Sequence, residues 1–115
     1  MAAAPQTKAG GLFTPEAGVL YRHLLKKVRS IGPYEEEVKK TCVHLVRKSA
    51  FLGVHPRKHG LLLTVKSTRA LADECVAKIL QASKSRWYVD VRIGSPAEID
   101  ERLIGWIRDS WELSG

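Results

Sequence analysis

Two histidines, His44 and His55, stand in neighbouring apolar stretches, TCVHLVRK and FLGVH, with Cys42 two places before the first. An imidazole titrates near neutral pH, so it can shuttle protons, line a ligand pocket or bind a metal. If the two stretches form a hairpin turning about Ser49 and Ala50, Arg47 faces Leu52 and Leu45 faces Val54. The same register sets His44 against His55 and Cys42 against Arg57, and directly opposed side chains share a face at contact distance. His44 and His55 then lie with Cys42, Val46, Phe51 and Gly53, opposite a face of Val43, Leu45, Leu52 and Val54. Three readings stand: a half-exposed sheet face with both rings bonded to water, a candidate pocket of His44, His55 and Phe51, and a two-histidine plus cysteine metal site. No catalytic set, no metal ligands and no cofactor are assigned from these residues.

The second candidate is charge. The chain of 115 residues carries a formal net charge of +7, which favours encounters with anions without specifying one. Arg47, Lys48, Arg57 and Lys58 come from strand ends in this reading, with Lys66 and Arg86 further along and Trp87 and Tyr88 following. Cations beside aromatics are the mixture that binds single-stranded nucleic acid, so these residues are expected to converge on a basic patch. The tip Pro56-Arg57-Lys58-His59-Gly60 between two apolar runs reads first as a turn, bracketed by proline and glycine, and second as a hook for an anion. There is no nucleophile motif, phosphate loop or metalloprotease helix, and Gly10-Gly11 is too short to cradle a phosphate.

The elements that must position these residues follow from periodicity. Residues 1–13 read as a flexible tail and 14–113 as a single domain. Thr14 can cap and Pro15 can open a helix over 15–30, with Val19, Leu20, Leu24, Val28 and Ile31 at helical spacing and Gly32-Pro33 as its stop. Glu35-Glu36-Glu37 reads as a solvated run. Three hairpin-linked strands follow, then a short helical turn near Arg69 to Cys75 and a chain running extended into Ser83-Lys84-Ser85. WYVDVRI is a strand, and Ser95-Pro96-Ala97-Glu98 is a capping box opening a helix over 96–112. The fold class expected is α+β in two layers, an antiparallel sheet of four or more strands with the N- and C-terminal helices packed on one face. No run has membrane-spanning length and no secretory leader is visible, so a cytoplasmic location with reduced Cys42 and Cys75 is expected.

The string SRWYVDVRIGSPAEIDERLIGWIRDSWEL resembles the C-terminal half of the bacterial Domain of Unknown Function 5655 family: an aromatic strand, serine-proline, then a helix with tryptophan. FLGVHPRKHGLLLTVK resembles its middle, and the likeness spans roughly residues 15 to 113; a more distant similarity is to the YdhG-like group of small α+β proteins. The resemblance implies a two-layer α+β fold and no known activity, with relatives occurring alone or attached to nuclease-like modules. The chain departs from the pattern at Tyr88-Val89-Asp90, where a histidine is expected, so no histidine-dependent role is carried to that strand.

The leading expectation is a module that binds nucleic acid or another phosphate-bearing anion and is not an enzyme. The alternatives are a small-molecule or enzymatic pocket at His44 and His55, and a protein-interaction or homodimerisation domain.

Overall fold

The computed structural model describes residues 12–115. The tail expected over 1–13 therefore lies outside the described residues except for Leu12 and Phe13, which pack against the core, Phe13 stacking on Tyr21 with ring centroids 4.5 Å apart. Helix α1, Pro15–Arg29, begins where Thr14 accepts from the Ala17 N–H, with proline in the first turn. It buries Ala17, Leu20, Tyr21, Leu24, Leu25 and Val28, one stripe at helical spacing, whereas Val19 points to solvent, 52% exposed. Gly32 follows because the Trp111 ring occupies the space a Cβ would need.

Six strands then form one antiparallel sheet: β1 (Glu35–Val38), β2 (Val43–Val46), β3 (Ala50–Pro56), β4 (Leu61–Ser67), β5 (Val76–Ser83) and β6 (Arg86–Ile93). Their spatial order is β1-β2-β3-β4-β6-β5, so β6 inserts between β4 and β5. Composition explains the exchange. Val89, Val91 and Ile93 alternate cleanly and are buried, as a central strand demands. In β5, adjacent Ile79 and Leu80 point to opposite faces and both remain exposed, which only an edge strand tolerates. The sheet's apolar face, Val43, Leu45, Leu52, Val54, Leu63 and Val65 among others, packs under α1 and α2 (Glu101–Leu113). The architecture is the expected two-layer α+β fold.

Four local expectations are refined or corrected. The acidic run is solvated at Glu35 and Glu37, as expected, but it also forms the edge strand β1, and Glu36 takes a hydrogen bond from the buried Tyr21 hydroxyl. No helical turn forms at Arg69 to Cys75: Leu71 anchors a loop and the Asp73 carboxylate takes the Cys75 N–H at 3.2 Å, a local bond that competes with helix. The final helix starts later. Pro96–Glu98 is a single 3₁₀ turn, Ser95 makes no capping bond, and Glu98 reaches back to the Gly94 N–H at 2.9 Å. Asp100 is the true cap, accepting from Leu103 N–H at 3.0 Å while Ile99 is buried.

The fourth concerns the first hairpin. The observed register sets Leu45 against Leu52, His44 against Gly53 and Val43 against Val54, two residues from the expected pairing. Two features cause the slip. The Ser114 carbonyl accepts from both Lys48 and Ser49 N–H at 3.1 Å, holding a tight turn. A bulge between Leu45 and Val46 then lets the adjacent Phe51 and Leu52 both bury, each 1% exposed. Phe51 is thus a core residue that meets Tyr34 edge-on, at 6.5 Å between centroids.

Candidate nucleic-acid interface

A strand places alternate side chains on opposite faces, so the residues between the buried positions of each strand share the sheet's second face. Among the described residues no helix covers that face. One row across it reads Glu37, His44, Gly53, Thr64, Asp90, Lys78, each directly opposite the next. Lys66 and Leu80 flank Tyr88 in the adjacent row, and His55, Leu62 and Arg92 form the row on the other side.

Gly53 has no side chain, so the middle of the face is a notch of about 180 Å³ lined by His44, His55, Thr64, Lys66 and Tyr88 among others. Because the register slipped by two residues, parity is preserved: His44 and His55 share this face, as diagonal neighbours rather than direct opposites. Thr64 Oγ1 donates to Asp90 Oδ1 at 2.6 Å and lies 3.3 Å from His55 Nε2. A hydroxyl has one hydrogen to donate, so with that hydrogen bond directed to Asp90 the Nε2–H of His55 donates to the Thr64 oxygen and Nδ1 keeps the lone pair. Burial lowers the His55 pKa from its usual 6.5, with Arg57 and His44 adding to the effect and Asp90 opposing it. His44 Nε2 stands 3.8 Å from the Cys42 sulfur. Among the described residues, no three His, Cys, Asp or Glu side chains gather as a metal site would require.

The predicted cations do not gather in one patch. Arg47 turns to the helix layer, its guanidinium 3.5 Å above the Trp111 ring and bonded to the Trp111 carbonyl at 3.2 Å. Lys48 is exposed in the β2–β3 turn. Arg57 and Lys58 sit at the other end of the seven-residue β3, about 20 Å away at strand rise. Trp87 faces the core and packs on it. Lys66 and Arg86 do come together. Lys66 Nζ donates to Ser49 Oγ at 2.9 Å and Ser114 Oγ at 3.0 Å, and burial followed by the charge of Arg86 lowers its pKa. Neither makes an ion pair with any described residue, and Arg86 Nη1 is buried without a hydrogen-bond partner among them. At the opposite end of the face, Arg57 and Arg92 line a second cleft of about 470 Å³ with Leu62 and Ala77.

The contacts of Pro56 to Gly60 bear out the turn. Arg57 N–H bonds the Gly60 carbonyl at 2.9 Å, closing the turn. Thr14 Oγ1 donates to the Lys58 carbonyl at 3.0 Å and His59 Nδ1 meets Glu16 at 3.0 Å, so the tip docks on the start of α1. It is a structural turn that leaves the Arg57 and Lys58 side chains outward.

Two helices closing one face of this antiparallel sheet, with the strand–serine-proline–helix run at its end, fit the model of one family over residues 15–114. The chain belongs to the family of the Domain of unknown function (DUF5655). No curated protein and no solved structure matches it, so the more distant YdhG-like similarity has no support. No helix among the described residues of this DUF5655 domain is long and apolar enough to cross a membrane. Sequence reasoning missed Thr64, Asp90 and Arg92 as members of the DUF5655 open face. Their one signal was alternation with buried neighbours, and it becomes readable only once β4 and β6 are known to pair.

Proposed function

We propose that this domain binds single-stranded nucleic acid across the uncovered face of its sheet. The observation that carries the reading is Tyr88, 36% exposed, set directly beside Lys66 and two places from Arg86 on the same face, both cations free of carboxylate partners among the described residues. An exposed ring stacks on any base, and cations track the backbone, which together give sequence-tolerant binding to single strands. Arg92 and Arg57 extend the charge about 20 Å along β6, at six strand steps from Arg86, long enough for several nucleotides.

The test is fluorescence anisotropy with labelled single-stranded DNA and 2′-O-methyl RNA over a salt series. Affinity is expected to fall steeply with salt. Tyr88→Ala should cost about 1–3 kcal/mol of binding, one stacked base. Lys66→Met should weaken binding and reduce the salt slope by about 0.7, the share of one cation on a single strand. The double change Arg57→Glu, Lys58→Glu should also weaken binding while leaving stability within about 0.5 kcal/mol. Salt-independent binding, or Tyr88→Ala binding as tightly as the parent, would overturn the reading. A concentration-dependent mass without nucleic-acid binding would assign the exposed Leu80–Tyr88 pair to a homodimer contact instead.

A further inference from the structure

We infer that the notch over Gly53 cleaves RNA by transferring a backbone phosphodiester to the adjacent 2′-hydroxyl, with His55 as proton acceptor and His44 as proton donor. The inference rests on the binding reading above, since the strand must first lie on this face. Three observations lead to it. Two imidazoles occupy one face of adjacent strands as diagonal neighbours, and the residue opposite His44 is a glycine, which leaves room between them. The tautomer of one imidazole is set: Thr64 donates its hydroxyl hydrogen bond to Asp90, so His55 donates from Nε2 to the Thr64 oxygen and Nδ1 keeps the lone pair of a base. Desolvation holds that ring neutral, and Asp90, reached through Thr64, supports the charge that forms once it takes a proton.

Lys66 supplies the third part. An ammonium has three N–H bonds, and the Ser49 and Ser114 hydroxyls occupy two, so one remains for a non-bridging phosphate oxygen at the notch that Lys66 itself lines. A positioned cation at the developing phosphorane charge is the main electrostatic help such a transfer needs. Tyr88 lines the same notch, placing a stacked base beside the scissile phosphate.

The step balances within the substrate and the two rings. His55 Nδ1 takes the proton of the 2′-hydroxyl, and the O2′ electron pair forms a bond to phosphorus. The bond from phosphorus to O5′ breaks, its electron pair stays on oxygen, and the imidazolium of His44 protonates that oxygen. The products are a 2′,3′-cyclic phosphate and a 5′-hydroxyl end. His55 finishes protonated and His44 neutral, and exchange with water restores both.

The experiment incubates the full chain with a 5′-labelled mixed-sequence RNA and, separately, with DNA of the same sequence, in the presence of a chelator. RNA should be cut to fragments bearing 2′,3′-cyclic phosphate by mass spectrometry, and DNA should bind but stay intact. His55→Gln and His44→Gln should each slow cleavage at least ~100-fold, as loss of a general acid or base does. Matching thermal melts establish that each variant is folded; should either fail to fold, Gly53→Val, which fills the notch with a strand-favouring side chain, must abolish cleavage in its place. RNA that binds but remains intact, or cleavage that survives the His44→Gln, His55→Gln double change, overturns this inference and leaves the binding reading standing. Failure to bind either strand removes both.

Discussion

Ser110 of α2 donates its hydroxyl proton to the Phe51 carbonyl oxygen at 2.5 Å, joining the helix layer to the sheet where β3 and β4 part. The same hydroxyl accepts from the Lys66 N–H at 2.9 Å, so one side chain replaces a ladder bond that the Phe51 bulge removes. Ser110 is fully buried, and its loss would leave a carbonyl and an amide unpaired in the interior. Ser110→Ala should therefore destabilise the domain by about 1–3 kcal/mol, measured as a lower urea midpoint at unchanged slope. An unaltered midpoint would mean the strands close over the gap without it.

Glycines make a paired test. A Cβ on Gly60 would overlap the Ile93 carbonyl oxygen, part of the β6 backbone, which cannot move aside cheaply. Gly105, inside α2, has nothing within 4 Å of the point where a Cβ would stand. Gly60→Ala should cost more than about 2 kcal/mol by forcing β4 and β6 apart. Gly105→Ala should gain about 0.5–1 kcal/mol from helix propensity. Thermal denaturation of the two variants side by side decides, and equal effects of the same sign would contradict the packing described.

His55 links stability to pH. Its pKa is lowered in the folded state, burial being the largest cause, so the unfolded chain binds its proton more readily below 6.5. Its contribution is complete above that value and is lost as pH falls toward the lower folded value. Denaturant midpoints should drop as pH falls below 6.5, and His55→Gln should make that drop smaller. A drop of the same size in the variant would place the titration elsewhere.

Cys75 should be chemically quiet. Burial, the Asp73 hydrogen bond and the Asp73 charge push its thiol up to about 11. The thiolate is the nucleophile, so at about pH 8 alkylation by iodoacetamide should run roughly two orders of magnitude slower than for an ordinary cysteine. Unfolding in urea should restore the ordinary rate, and mass spectrometry of timed samples reads both. Fast labelling of Cys75 in the folded domain would show that its loop opens.

Much of this molecule was legible in the chain because local physics decides it. Thr14-Pro15 starts α1 whatever surrounds it, since a cap and a proline at the first position act within one turn. Strand parity likewise placed His44 and His55 on one face, and it survived a two-residue error of register, because a shift by two returns every side chain to its own side. What the chain could not disclose is which distant segments become neighbours. The Ser114 carbonyl tightens the β2–β3 turn from the far end of the chain, and Trp111 draws Arg47 out of the expected basic patch. The insertion of β6 beside β4 brings Asp90 to Thr64 and so orients His55. Those pairings are set by which apolar faces bury best together, a sum over the whole core that no single stretch of sequence contains.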